Sequence, residues 1–395
     1  MNIPGPLNPP SRLLLGPGPS DAHPRVLRAM ATPLLGHLDP QFLDIMNDVQ
    51  EMLRTAYQTK NPVTFPVSAT GMAGMETCFV NLVEPGDRVV VCVAGFFSQR
   101  MAEIAGRTGA QVTVLERPWG EVFDLQQIRE TLQKVRPKVL AIVQAETSTG
   151  AWQPLEGLGQ LCHEFDTLLL VDAVTALGCI PVAVDTWGVD AIYSCSQKGL
   201  SCPPGLSPVS FSPRAVEVFS KRKSKVQSWY FDVNLVEHYW DSERFYHHTG
   251  PITMVYALYE GLRLVLEEGL EARFARHRRN HEALKAGLKA LGLSYVANEK
   301  HQLPQLNVVR CPAGCDDLAV RKRLLTEFGI EIGGGLGELK GKAWRIGLMG
   351  WGSRMPNVML FLAALESCLT AQGSTISIGA GISAAMKIYE GSSDR

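Results

Sequence analysis

Three stretches of this chain are apolar almost without a break: Arg88-Val-Val-Val-Cys-Val93, Val139-Leu-Ala-Ile-Val143 and Leu168-Leu-Leu-Val-Asp172. A strand with one wetted face alternates apolar and polar residues, so strands without alternation must be covered on both faces. Helical periodicities separate these runs, as in the segment 124–135, which opens at the helix-capping residue Asp124. Strand and helix in alternation predict an α/β fold, with a mostly parallel sheet sandwiched by helices and right-handed crossovers. In that architecture ligands gather at the carboxyl ends of the strands.

At 395 residues the chain exceeds one ordinary core, and two domains are expected. Residues 1–20 are rich in Pro and Gly and close with Leu13-Leu-Leu-Gly-Pro-Gly-Pro-Ser20. They read as an extended N-terminal arm whose leucines lie on an apolar surface, either of their own domain or of a second subunit. Residues 21–268 carry the alternating pattern, including a helix over 39–57 and short strands at 180–184 and 191–194. Gly269 separates long helical patterns at 252–268 and 271–291. A strand at 306–310, a helix at 317–328, strands at 330–332 and 343–348 and a helix at 357–370 then read as a smaller C-terminal α+β domain, 269–371. Residues 372–395, rich in small residues and unpatterned, are expected to form a loose tail.

A net charge of −1 offers no field for nucleic acid or an anionic membrane. No apolar run approaches the roughly 20 residues that span a bilayer. Among nine cysteines only Cys311 and Cys315 lie close together, which makes neither a disulfide framework nor a zinc site. Reduced thiols, an N-terminus without the blocks of a signal peptide, and a final Ser392-Ser-Asp-Arg395 unlike a peroxisomal tripeptide make a cytoplasmic location the expectation.

Two strand ends carry the chemistry. Asp172 closes the third apolar run, and Lys198 follows the strand 191–194 within Tyr193-Ser-Cys-Ser-Gln-Lys198-Gly199. An acid and a lysine so placed suit pyridoxal 5'-phosphate: the amine forms a Schiff base with the aldehyde, and the acid pairs with the protonated ring nitrogen. Alone, the Asp is equally a helix cap and the Lys a solvated side chain. Ser68-Ala-Thr70-Gly71 opens a helix whose free N–H groups favour a phosphate, or it is an ordinary cap. Phe97, with Phe96 competing, could stack on a flat ring or simply fill a core. Thr147, in Glu146-Thr-Ser-Thr-Gly150, could reach the cofactor ring or the substrate, and Gln197 the phosphate. Tyr246 and Thr249, in Tyr246-His-His-Thr249, offer further phosphate donors. The His pair is set aside as a metal site, because adjacent side chains on one strand point apart and no third ligand is apparent. Arg345 stands in the apolar run Ala343-Trp-Arg-Ile-Gly-Leu348, as the clamp on a substrate carboxylate or as half of an internal salt bridge. Gly333-Gly-Gly-Leu-Gly337 before it lacks the Lys-Ser/Thr of a P-loop and reads as a flexible flap.

Taken in order, these motifs, with Glu84-Pro-Gly-Asp87 and Trp344-Arg-Ile-Gly347, resemble the fold-type I, class V aminotransferases over residues 11–370. The likeness is greatest to the alanine–glyoxylate / serine–glyoxylate (serine–pyruvate) group. The resemblance implies a homodimer with shared sites and ping-pong transfer of an amino group from alanine or serine to glyoxylate or pyruvate. It implies that Lys198 is the Schiff-base lysine and proton shuttle and that Asp172 pairs with the ring nitrogen. Thr70, Gly71, Met72 and Gln197 surround the phosphate, Thr147 supports the ring, and Arg345 binds the substrate carboxylate. Tyr246 and Thr249 reach the partner's cofactor. Phe97 stands where relatives often have Trp, Met72 where they often have His, and Thr147 where they often have Ser. Within fold type I, three other readings compete. A cysteine desulfurase needs a reactive Cys on a mobile loop, a phosphoserine aminotransferase needs extra basic residues, and a silent fold-type I scaffold would act by binding alone.

Overall fold

The computed structural model describes residues 1 and 3–391. The arm contributes strand β1 (Leu13–Leu14), and helices α1 (Pro24–Met30) and α2 (Pro40–Tyr57) follow. Asp39 caps α2 by accepting the Gln41 amide, and Pro40 supplies a pre-set first turn. Next come β2 (Val63–Val67), α3 (Gly71–Leu82), β3 (Arg88–Val93), α4 (Phe96–Arg107), β4 (Gln111–Glu116), α5 (Leu125–Val135) and β5 (Val139–Val143). Asp124 and Gln127 form a reciprocal capping box at the start of α5. A small hairpin, β6 (Ala145–Glu146) and β7 (Ala151–Trp152), leads to α6 (Leu158–Glu164), β8 (Leu168–Asp172), α7 (Val184–Trp187), β9 (Ala191–Tyr193) and β10 (Ser207–Phe211). Helices α8 (Pro213–Ser220), α9 (Val233–Trp240), α10 (Ile252–Glu268) and α11 (Leu270–Ala290) carry the chain away from the sheet. Gly269 joins the last two at φ 83°, a value that a β-carbon would strain. The remainder is β11 (Leu306–Arg310), α12 (Asp317–Phe328), β12 (Ile330–Glu331), β13 (Gly333–Gly334), β14 (Ala343–Gly347), α13 (Met355–Ala371) and α14 (Ala380–Glu390).

Seven strands form the main sheet in the order β2-β10-β9-β8-β5-β3-β4. All run parallel except β10, which is antiparallel to both neighbours. The apolar runs lie at its centre, and β5 and β8 are buried along their whole length. The register sets Val143 opposite Asp172 and Asp172 opposite Tyr193. The loops after β3, β5, β8 and β9 therefore open along one edge. A second core gathers Leu284, Leu288, Val309, Leu324, Trp344 and Phe361 around the sheet β11-β14-β13. Leu15 of the arm belongs to that core and is fully buried, and β1 pairs in parallel with β12. Leu13, Leu14 and Leu15 of the arm thus lie on their own chain.

Two expectations change. No strand forms at 180–184. The chain after Asp172 turns on itself, with the Cys179 and Ile180 amides both donating to the Ala176 carbonyl, and Pro181 has no N–H for a ladder. Ile180 and Val182 are buried as loop residues, which is why the segment reads as apolar. The expected loose tail contains helix α14, docked on α11. Tyr389 donates to the Asn280 side chain at 2.8 Å, and Ala385 is fully buried. Small residues allow the close approach: a Cβ on Gly287 would stand 2.9 Å from the Gly381 carbonyl. Residues 392–395 lie outside the described residues.

Candidate active site

The Asp172 carboxylate, 4% exposed, sits at the end of β8. Its Oδ2 accepts the Tyr193 phenol at 2.7 Å from the neighbouring strand end, and its Oδ1 accepts the Val174 amide at 2.8 Å. Burial pushes its pKa up to about 6 against these two bonds, and the nearby Glu146 charge adds to the rise. Lys198, 8% exposed, lies beyond β9. Its Nζ donates to the Pro17 carbonyl of the arm. Burial lowers the lysine's pKa, and Arg345 lowers it further while Cys195 and Asp172 oppose. Ser20 fastens the arm here, donating from Oγ to the Lys198 carbonyl at 2.7 Å. At Gly18, φ is +121° and an added Cβ would stand 2.6 Å from Lys198 Cε, so only glycine fits beside that stem.

Thr70 is the first-turn boundary of α3, and no side chain caps this helix. Its free N–H groups and positive dipole end are an anion's seat. A Cβ on Gly71 would stand 3.0 Å from Cys195 Cβ and 3.3 Å from Val174 Cγ2. Glycine thus brings the helix start against both strand ends that carry Asp172 and Lys198. The Gln197 Oε1 is buried without a hydrogen-bond partner. Met72 reaches the same region, its sulfur 3.6 Å from Arg100 Nη1, and that guanidinium lies over the Phe96 and Phe97 rings at 4.9 and 5.6 Å. Thr147 Oγ1 and Thr175 Oγ1 are 2.5 Å apart, both buried.

Arg345, in β14, is 9% exposed. Its Nε donates to the Gly334 carbonyl at 2.7 Å, and among the described residues it forms no ion pair, so the internal salt bridge is absent. Burial pulls its pKa down to about 10. The glycine run expected as a free flap is instead partly strand: β13 pairs with Trp344 and Arg345. A Cβ on Gly333 would stand 2.5 Å from Pro17 Cδ and 3.5 Å from Arg345 Nη2. Glycine here thus leaves room for Pro17, whose carbonyl takes the Lys198 amine, to lie against β13.

Tyr246 and Thr249 stand apart from this group. They are exposed, Tyr246 to 58%, and their hydroxyls are 3.4 Å from each other. The two histidines between them do not point apart. This segment is a bend rather than a strand, and the two Nδ1 atoms approach to 2.8 Å. His248 Nε2 also reaches Ser68 Oγ at 2.7 Å, ahead of α3. A surface group elsewhere, His238, Asp241 and Glu243, has ligand atoms within 4.8 Å of one another. Residue-type reasoning passed over Tyr193, Thr175 and the Pro17–Gly18 turn. The one available signal was Tyr193 itself, a polar tip at the end of an apolar strand.

The parts fit pyridoxal phosphate by their own chemistry: an amine whose pKa burial lowers, a buried acid beside it, and an uncapped helix start made close by Gly71. Comparison with known proteins agrees. The family model described as Aminotransferase class-V matches residues 14–338. The crystal structure of an alanine–glyoxylate aminotransferase from Nostoc sp. superposes with a TM-score of 0.92 at 54% identity, covering 93% of this chain and 98% of that one. The (S)-ureidoglycine–glyoxylate transaminase of Bacillus subtilis is 43% identical over 399 residues, 96% of each chain. The alanine–glyoxylate aminotransferase of Mus musculus is 41% identical over 92% of this chain and 89% of its own. With a family model over most of its length and relatives this similar end to end, the chain belongs to the class-V aminotransferases, enzymes that work with pyridoxal 5'-phosphate.

Proposed function

We propose that this transaminase moves the amino group of a small, uncharged amino acid, alanine or serine, to a small 2-oxo acid, glyoxylate or pyruvate, in a ping-pong cycle. The observation that carries the reading is Arg345: a buried guanidinium with no carboxylate partner among the described residues, close enough to Lys198 to help lower the pKa of its amine. Its terminal nitrogens offer a planar fork to an α-carboxylate. The other guanidinium near Arg345 is Arg321, which Asp317 holds at 2.8 and 2.9 Å. A second carboxylate on the substrate has no free anchor there, which favours small neutral donors. The relatives from Nostoc, mouse and Bacillus subtilis carry glyoxylate in their names. The Bacillus name adds (S)-ureidoglycine as a donor to be tested.

When bound, the cofactor supplies an electron sink for the bond broken at the substrate's α-carbon. Lys198 Nζ takes the α-proton and returns it on the far side of the transfer, which requires the neutral amine that burial favours. Asp172 stays anionic opposite a cationic ring nitrogen and keeps the proton on that nitrogen. Tyr193 and the Val174 amide hold the carboxylate in place. Thr70, Gly71, Met72 and Gln197 receive the phosphate, Phe97 the ring face and Thr147 the ring edge. Tyr246 and Thr249, exposed beside Trp229 and Phe245, reach the phosphate of a second subunit in a homodimer. A cytoplasmic location is part of this proposal, and the nine free cysteines support it.

Titrating the purified holoenzyme with single amino acids, and following loss of the cofactor's visible absorption band, tests the donor. Alanine or serine should bleach the band, and glyoxylate should restore it with release of glycine. A response to aspartate or phosphoserine alone would refute the reading. Analytical ultracentrifugation tests the dimer, and cell fractionation the location. The desulfurase alternative finds no support, since Cys195 and Cys202 are buried and burial pushes the Cys195 thiol up to about 12.

A further inference from the structure

We infer that Glu146 is a positioning residue for the cofactor: its buried carboxylate clamps the first turn of α4 to the loop after β5, and so fixes where Phe97 stands. The inference rests on the reading of Phe97 as the residue that meets the ring. Helix α4 starts at Phe96 with Gly95 as its cap residue, which has no side chain to offer. Its first free amides are met from another part of the chain. Glu146 Oε1 accepts the Phe97 amide at 3.3 Å, the Ser148 amide at 3.1 Å and the Ser148 hydroxyl at 2.7 Å. Oε2 accepts the Ser98 amide at 3.1 Å and faces the Ser98 hydroxyl at 3.2 Å, which the Gly95 carbonyl shares at 2.9 Å. Ser148 Oγ takes the Phe96 amide at 2.9 Å. Every one of the first three helical amides thus ends on Glu146 or Ser148.

The arrangement is tight and specific. Glu146 is 4% exposed, and among the described residues it has no ion-pair partner. A charge so buried is held by donors and by the positive end of α4. A Cβ on Gly95 would stand 2.4 Å from Glu146 Cδ and 2.6 Å from Ser148 Oγ, so a side chain there would occupy the carboxylate's place. All groups facing the carboxylate are donors. An amide in its place sets its NH2 against an N–H whichever way it turns, whereas a purely space-filling role would tolerate the change.

The test is Glu146→Gln, studied first without cofactor. Amide hydrogen exchange at residues 96–98 should speed up about tenfold or more while the far-ultraviolet dichroism stays unchanged. The dissociation constant for pyridoxal phosphate should rise about tenfold, and the visible circular dichroism of the bound cofactor should fall. Unchanged exchange at 96–98 overturns the inference, whether or not affinity changes, and so does faster exchange with unaltered affinity and dichroism. If Glu146→Gln does not fold, Ser148→Ala decides. It should give the same pattern at about threefold, and a wild-type pattern overturns the inference. A wild-type protein that binds no pyridoxal phosphate would sink the transaminase reading, while the exchange experiment would still report on the clamp.

Discussion

Asp172→Asn should stabilise the cofactor-free protein while it disables the enzyme. Burial raises the Asp172 pKa from 3.8 to about 6 in the folded state. The folded protein therefore holds a proton that the unfolded chain releases. Stability from this group is fully present below pH 3.8 and lost as pH rises through 6. At 1.36 kcal/mol per pH unit, the loss at pH 8 is about 3 kcal/mol. Asparagine keeps the shape: its oxygen can accept the Val174 amide and its NH2 can donate to the Tyr193 phenol oxygen, so the charge alone is removed. Melting of the cofactor-free proteins across pH 4–8 should show the variant about 3–6 °C more stable at pH 8, with the gap closing toward pH 4. Added pyridoxal phosphate should raise the wild-type melting temperature more than the variant's, because only the wild type gains a partner for its charge. Turnover should fall about 10²- to 10³-fold. A variant less stable than wild type at pH 8, or a gap indifferent to pH, would refute the argument that Asp172 is a desolvated charge awaiting a cationic partner.

Lys198→Ala should abolish the borohydride-reducible link between protein and cofactor, checked by mass spectrometry, and cut turnover by at least about 10³-fold. Arg345→Lys keeps the charge but loses the planar fork, so KM for both amino and oxo acids should rise about tenfold with a smaller change in kcat, read from steady-state kinetics. Gly18→Ala introduces a Cβ 2.6 Å from Lys198 Cε at a strained φ of +121°. It should reduce kcat severely while the far-ultraviolet dichroism stays native, and unaltered kinetics would show that the arm does not bear on the lysine in the working enzyme.

How much of this was legible beforehand depends on how local the signal was. The central strands declare themselves because burial on both faces removes nearly every polar residue, and β8 alone of β3, β5 and β8 ends in one, Asp172. Arg345 was likewise visible as a charge in an apolar run, and Lys198 as a lysine just past a short apolar strand, among small residues. Segment 180–184 deceived for the same reason: apolar residues were read as a strand when they are buried in a turn, where Pro181 denies the ladder a donor. Helix α14 was hidden because its small residues, which look like linker, are what let it sit against Gly287. The histidine pair was misjudged because the bend that turns His247 onto His248 is fixed by packing on Trp229, 4.2 Å from the His247 ring, and not by local sequence. Tyr193 and Glu146 owe their importance to partners 21 and 48 residues away, and no spacing within either motif could reveal them.

The charges of the site share one feature that ties these observations together. Burial raises the Asp172 pKa, lowers that of Lys198 and lowers that of Arg345, so each group is pressed toward its neutral form. None of the three has a salt-bridge partner among the described residues. A structural ion network would have paired them, as Glu268 pairs Arg273 at 2.7 Å and Arg276 at 2.5 Å at the domain junction. A site built for ligands leaves the pairing to what arrives. On this reading a cationic ring nitrogen would answer Asp172, a carboxylate would answer Arg345, and an electrophilic carbonyl would answer an amine whose pKa burial lowers. Glu146 is the exception that makes the rest coherent. Its carboxylate already has its donors within the protein, in the first turn of α4 and in Ser148.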